Sequence, residues 1–115
     1  MRITFLLLNI LMLFFVCSVS SAENYLADRH VQRGVGCVDC HGTDTPEKET
    51  FVSMDKCMDC HGSYDEVEAM TQNLGKENPH NNHVGALDCT VCHYGHSPST
   101  LYCAKCHSEF DLKTP

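Results

Sequence analysis

Apolar positions are unevenly spread along this chain, and the longest continuous run lies at its start. Ile3 to Val16 is apolar apart from Thr4 and Asn9, with Arg2 before it and the small residues Ser20-Ser21-Ala22 after it. That order matches the positive, apolar and small-residue regions of a secretory signal peptide. The run is shorter than the roughly 18 residues a membrane-spanning helix needs, which argues against an uncleaved anchor. Cys17 follows bulky Phe15 and Val16, a poor setting for lipid attachment. Residues 1–22 are therefore expected to be a cleaved signal peptide and 23–115 one small exported domain without stable membrane insertion.

Beyond residue 23 the pattern predicts few regular elements. Asn24 to Arg33 has helical spacing, with Leu26 and His30 on one face at i and i+4. Ser63-Tyr64-Asp65-Glu66 is a capping-box sequence ahead of Val67, Met70 and Leu74 at helical spacing, and Gly75 is the expected stop. Gly42 to Lys56 and Lys76 to Asp88 hold Pro46, Pro79, Gly85 and many polar residues, so both read as loops. No stretch alternates over strand length.

Composition changes this picture. Apolar residues make up 43% of the sequence, but there is no Trp, only nine aromatics, and much of the apolar content sits in residues 3–16. The remaining core is thin for a domain of this size. Nine Cys and eight His far exceed ordinary usage.

Eight of the cysteines form four copies of one motif: Cys37-Val-Asp-Cys40-His41, Cys57-Met-Asp-Cys60-His61, Cys89-Thr-Val-Cys92-His93 and Cys103-Ala-Lys-Cys106-His107. Each is C-x-x-C-H, the attachment signature of c-type haem. Residues i, i+3 and i+4 share one face of a helical turn, so both thiols can reach one porphyrin as thioethers while the His meets its iron from the proximal side. The first two Cys pairs also fit a four-cysteine zinc spacing, and an even Cys count in an exported chain also fits disulfides. Neither use explains a His after every second Cys. At a His frequency of about 7%, four such coincidences have odds on the order of one in 40,000.

Four histidines remain, His30, His80, His83 and His96, one for each motif. A lone His is ordinarily a surface or hydrogen-bonded residue, but the matching count makes these four the candidate distal ligands. Met54, Met58 or Met70 is the alternative sixth ligand, with gap filling between apolar surfaces as the ordinary role of Met. Irons with His on both sides are closed to substrate, so electron transfer is expected rather than haem catalysis, at low potential. The expected fold is a small multihaem cytochrome c, with few short α-helices and loops wrapped around four haems and little or no β-sheet.

Charge adds less. Without Arg2 the chain carries seven Lys and Arg against fifteen Asp and Glu, a net −8. This disfavours nucleic acid and anionic membranes as partners, and fits either solubility or docking onto basic patches of redox proteins.

The order and spacing of these residues resemble the tetrahaem cytochrome domains of soluble periplasmic flavocytochrome c fumarate reductases and their small free-standing relatives. The resemblance runs from Leu26 to about Leu112. It rests on Leu26-Ala27-Asp28-Arg29-His30-Val31-Gln32, on His80 and His83 before Gly85, on His96 three residues after His93, and on Tyr102 directly before Cys103. It implies that His30, His80, His83 and His96 are distal ligands, that all four haems are bis-His, and that the protein is periplasmic. It further implies redox partners, namely a flavoprotein reductase of fumarate-reductase type and a quinol-oxidising membrane cytochrome. The sequence contains no Gly-rich dinucleotide fingerprint, so the expected role is the electron-supplying part beside a separate flavoprotein, with a general periplasmic shuttle as the alternative.

Overall fold

Short helices in this chain are held by their ends more than by their faces. In the computed structural model, which describes residues 24–75 and 77–115, four α-helices come first: α1 Leu26–Val31, α2 Cys37–His41, α3 Met54–His61 and α4 Tyr64–Thr71. Two 3₁₀ turns follow, Cys89–Val91 and Tyr102–Lys105, and no strand occurs among the described residues. The signal peptide expected at 1–22 lies outside the described residues. None of the described helices is long and apolar enough to cross a membrane.

Three of the four helices begin with an acidic side chain reaching back one turn. Asp28 Oδ2 accepts from the Tyr25 backbone N–H at 2.9 Å, Asp39 Oδ2 from Gly36 at 2.7 Å, and Glu66 Oε2 from Ser63 at 2.7 Å. Each satisfies an N–H that the helix itself cannot, and each puts negative charge at the positive end of the helix dipole. At α4 the box is reciprocal, since Ser63 Oγ accepts from the Glu66 N–H at 3.3 Å. The capping-box expectation for Ser63 to Glu66 therefore holds.

Two boundaries differ from expectation. Helix α4 ends at Thr71, short of the stop expected at Gly75, because side chains take its last carbonyls. Thr71 Oγ1 lies 2.8 Å from the Val67 carbonyl, and Asn78 Nδ2 donates to the Glu68 carbonyl at 2.8 Å. Met54-Asp55-Lys56, read as the end of a loop, forms the first turn of α3. The helix expected over Asn24 to Arg33 is confined to Leu26–Val31, after which Arg33 and Val35 both donate to the His30 carbonyl and turn the chain.

No described side chain is buried; Val31 is 59% exposed, Met70 63% and Phe51 68%. Helix α3 is the centre of what packing exists, touching α2, α4 and the turn Cys89–Val91. Ala27 also donates to the Gly95 carbonyl at 2.8 Å, tying α1 to the segment after the third motif. With no apolar interior among the described residues, the domain needs another source of cohesion.

Candidate haem-binding site

All four motifs form a helical turn, by two routes. The first is α2 itself, and the second is the C-terminal half of α3. Both stop immediately after their His, at Gly42 with left-handed backbone (φ 72°, ψ 3°) and at Gly62 with a positive φ of 81° but extended ψ of −166°. The third and fourth motifs are single 3₁₀ turns, closed by Cys92 N–H to Cys89 O at 3.3 Å and Cys106 N–H to Cys103 O at 3.1 Å, with the His93 and His107 N–H groups reaching the same two carbonyls at 2.9 Å. Asp88 starts the third turn by accepting from the Thr90 N–H at 2.9 Å and its hydroxyl at 2.6 Å.

Each motif histidine faces one of the four spare histidines. His41 lies opposite His96 with ring centroids 6.1 Å apart, His61 opposite His30 at 6.1 Å, His93 opposite His80 at 6.3 Å, and His107 opposite His83 at 5.9 Å. This spacing has a physical meaning. Two metal–imidazole bonds of about 2 Å on opposite sides of one ion, plus about 1 Å from each nitrogen to its ring centre, place two centroids about 6 Å apart. The His93 and His80 planes are 5° apart and those of His41 and His96 17°, whereas His61 and His30 are rotated by 70°. Met70, one of the alternative ligands, is 63% exposed on α4.

The surroundings fit a large apolar group held by these residues. A cavity of about 390 Å³ is bounded by His83, Val84, Cys103, Cys106, His107 and Phe110, so both thiols of the fourth motif and both rings of its pair border one space. His41 Nδ1 is buried with no hydrogen-bond partner, a cost of about 1–3 kcal/mol unless another group meets it. Burial, and then the neighbouring His80 charge, hold His93 below the usual imidazole value, and burial does the same for His80. Both shifts are in the direction of the neutral form that ligates metal. Desolvation by burial, with the Cys89 thiol next in effect, pushes Cys57 up to about 11, and burial also raises Cys40 and Cys89. All eight cysteines described are unpaired, so no disulfide joins them.

The motifs are also neighbours in sequence order. Cys40 lies within electrostatic reach of Cys57 and Cys60, Cys57 lies beside Cys89, and Cys92 Sγ accepts from the Tyr102 N–H at 3.4 Å.

The sequence is similar to that of known proteins. The cytochrome c3 family model matches residues 29–108, more than half of the chain. The chain belongs to the cytochrome c3 family. This cytochrome is 37% identical over 86 residues, 73% of its length, to a probable fumarate reductase, Ifc3, of Shewanella frigidimarina. It is 35% identical over 54 residues, 46% of its length, to the cytochrome c-type protein Cgr1 of Eggerthella lenta. It spans 14% and 24% of those two relatives, so both are much longer proteins. Family membership makes it an electron-transfer cytochrome with covalently bound c-type haem.

Some residues of the site lie outside the sequence motifs. Thr71 lies 2.9 Å from His80 Nδ1, and the Tyr64 ring meets the His80 ring at 6.0 Å. Tyr64 and Thr71 are seven residues apart and so share one face of α4. A usable signal was present in Asn78-Pro79-His80, since Asn two residues before a backbone N–H commonly forms an Asx turn, here Asn78 Oδ1 to His80 N at 3.0 Å. Nothing in the sequence linked Thr71 to His80.

Proposed function

We propose that this cytochrome holds four c-type haems, each between one motif histidine and one spare histidine, and that it supplies electrons to a separate flavoprotein reductase of fumarate-reductase type. The observation that carries this reading is the one-to-one opposition of the four His pairs at 5.9–6.3 Å. The cysteine tethers are Cys37 and Cys40, Cys57 and Cys60, Cys89 and Cys92, and Cys103 and Cys106. The ligand pairs, in the same order, are His41 with His96, His61 with His30, His93 with His80, and His107 with His83.

A haem in each cleft supplies a one-electron couple. The residues do the rest. A histidine on each side would hold the iron and leave no place for substrate there, which favours a carrier over an enzyme. Motif-to-motif contacts keep the four clefts adjacent in sequence order, as electron hopping between them requires. The lack of buried apolar side chains among the described residues fits a domain in which porphyrins form the core.

The flavoprotein partner is supported by the similarity to a probable fumarate reductase over 73% of the chain. Residues 1–22, read as a cleaved signal, put the domain in the periplasm, where a quinol-oxidising membrane cytochrome is the electron donor in this reading. The similarity to a cytochrome c-type protein that is not named a fumarate reductase favours a second reading, a general periplasmic shuttle.

Stopped-flow absorbance of the reduced protein tests the proposal. Mixed with fumarate alone, the protein should stay reduced; with the flavoprotein also present, the haem bands should oxidise rapidly. Raised ionic strength should slow that oxidation if the acidic surface guides docking. Rapid oxidation by fumarate alone would refute the carrier role, and none with the flavoprotein present would favour the shuttle.

A further inference from the structure

We propose that Thr71, held in place by Asn78, is a positioning residue for His80: its hydroxyl accepts the Nδ1 proton of that ring, leaves Nε2 bare toward His93, and lowers the potential of the haem they enclose. This rests on His80 being a ligand, as argued above, and goes beyond it by naming what fixes the ring.

The direction of the hydrogen bond follows from counting protons. Thr71 Oγ1 has one hydrogen, and three oxygens already surround it: the Val67 carbonyl at 2.8 Å, the Glu68 carbonyl at 3.2 Å and Asn78 Oδ1 at 2.9 Å. None of the three carries a proton. The orientation of the Asn78 amide is fixed at both ends, because its Nδ2 donates to the Glu68 carbonyl at 2.8 Å while its Oδ1 accepts from the His80 backbone N–H at 3.0 Å. The fourth neighbour of the hydroxyl is His80 Nδ1, at 2.9 Å. If that nitrogen were also an acceptor, four acceptors would compete for one proton. With the proton on Nδ1, the hydroxyl accepts from the ring and donates to an oxygen, so both demands are met.

The geometry restricts the ring as well as its tautomer. His80 is flanked by Thr71 at Nδ1 and by the Tyr64 ring at 6.0 Å, both on α4, and Asn78 pins its backbone. It faces His93 with planes 5° apart. A ligating imidazole whose other N–H is hydrogen-bonded is a more basic ligand, which favours the oxidised iron and lowers the potential. His30 shows that the device is not unique, since its Nδ1 lies 2.8 Å from the Leu26 carbonyl. For His80 the acceptor is a side chain, so it can be removed without touching the backbone.

The test is a redox titration of the haem-loaded protein with the four potentials resolved by NMR, comparing wild type, Thr71→Val, Thr71→Ser and His80→Ala. Thr71→Val should keep all haems low-spin and raise the potential of one, by about tenfold in its reduction equilibrium, ~59 mV for one electron. Thr71→Ser, which keeps the hydroxyl, should restore the wild-type value. His80→Ala should open one haem to carbon monoxide, and failure to do so overturns the ligand assignment itself. If His80→Ala opens a haem but Thr71→Val shifts no potential, the Thr71 proposal alone falls. In the oxidised wild-type protein, one exchange-protected Nδ1 proton should also appear on His80 among the hyperfine-shifted resonances. Its absence overturns the proposal even if the valine variant does not mature.

Discussion

Replacing Gly62 by Ala should be much more damaging than the same change at Gly42, although both glycines end a helix directly after a motif histidine. Gly62 has φ 81° and ψ −166°, a region essentially reserved for glycine, where another residue costs about 1–3 kcal/mol. A Cβ there would stand 2.5 Å from Glu66 Oε2 and 3.0 Å from its carboxyl carbon. That carboxylate is engaged with the Ser63 N–H at 2.7 Å and its hydroxyl at 2.9 Å, so moving it away disrupts the capping box, worth about 0.5–2 kcal/mol. The total is roughly 1.5–5 kcal/mol. Gly42, at φ 72° and ψ 3°, has nothing within 4 Å of its virtual Cβ, so only the left-handed backbone penalty of about 1–2 kcal/mol applies. Guanidinium unfolding of the haem-loaded variants, followed by far-ultraviolet circular dichroism, measures the difference. Adding Glu66→Ala should remove the clash and leave Gly62→Ala with its backbone cost only. Equal losses at Gly42 and Gly62, or no coupling between Gly62→Ala and Glu66→Ala, would refute this reasoning.

Two further outcomes are expected. His83→Ala removes the ring 5.9 Å from His107 while leaving Cys103 and Cys106 intact, so one haem should gain carbon monoxide binding without detaching and the other three should keep their low-spin spectra. Glu66 is held below its usual carboxylate value by the Ser63 backbone N–H first and the Ser63 hydroxyl second. Because the folded value is the lower one, its stabilising contribution is complete above the unfolded value of 4.5 and is lost as pH falls through the folded value. The gap in guanidinium midpoint between wild type and Glu66→Gln should therefore narrow in acid; a gap that widens contradicts the capping role.

How much of this was legible in the sequence depends on how local each piece of chemistry is. The C-x-x-C-H motifs could be read because their three reactive groups lie on one turn, and the Ser63 to Glu66 cap could be read for the same reason. The candidate distal histidines emerged from a count, but their partners did not. His41 meets His96 across most of the domain while His80 meets the nearby His93, and no periodicity encodes either contact. The end of α4 was missed because Thr71 and Asn78 divert the last carbonyls, a tertiary effect that overrides the helical spacing of Leu74. Pro46 and the polar run after it hide where α3 begins, so the sequence pattern extends the loop through Met54 to Lys56. The acidic composition was read as solubility or docking, yet Asp28, Asp39, Glu66 and Asp88 are engaged in helix or turn caps. Asp39 caps the very turn whose cysteines form the first motif.

The most direct test of four covalent haems in four paired clefts is the intact mass of the purified holoprotein under denaturing conditions, where only covalent groups survive. A chain beginning at residue 23 with four haem additions is the predicted result. Fewer than four additions on the fully loaded protein would contradict the central claim.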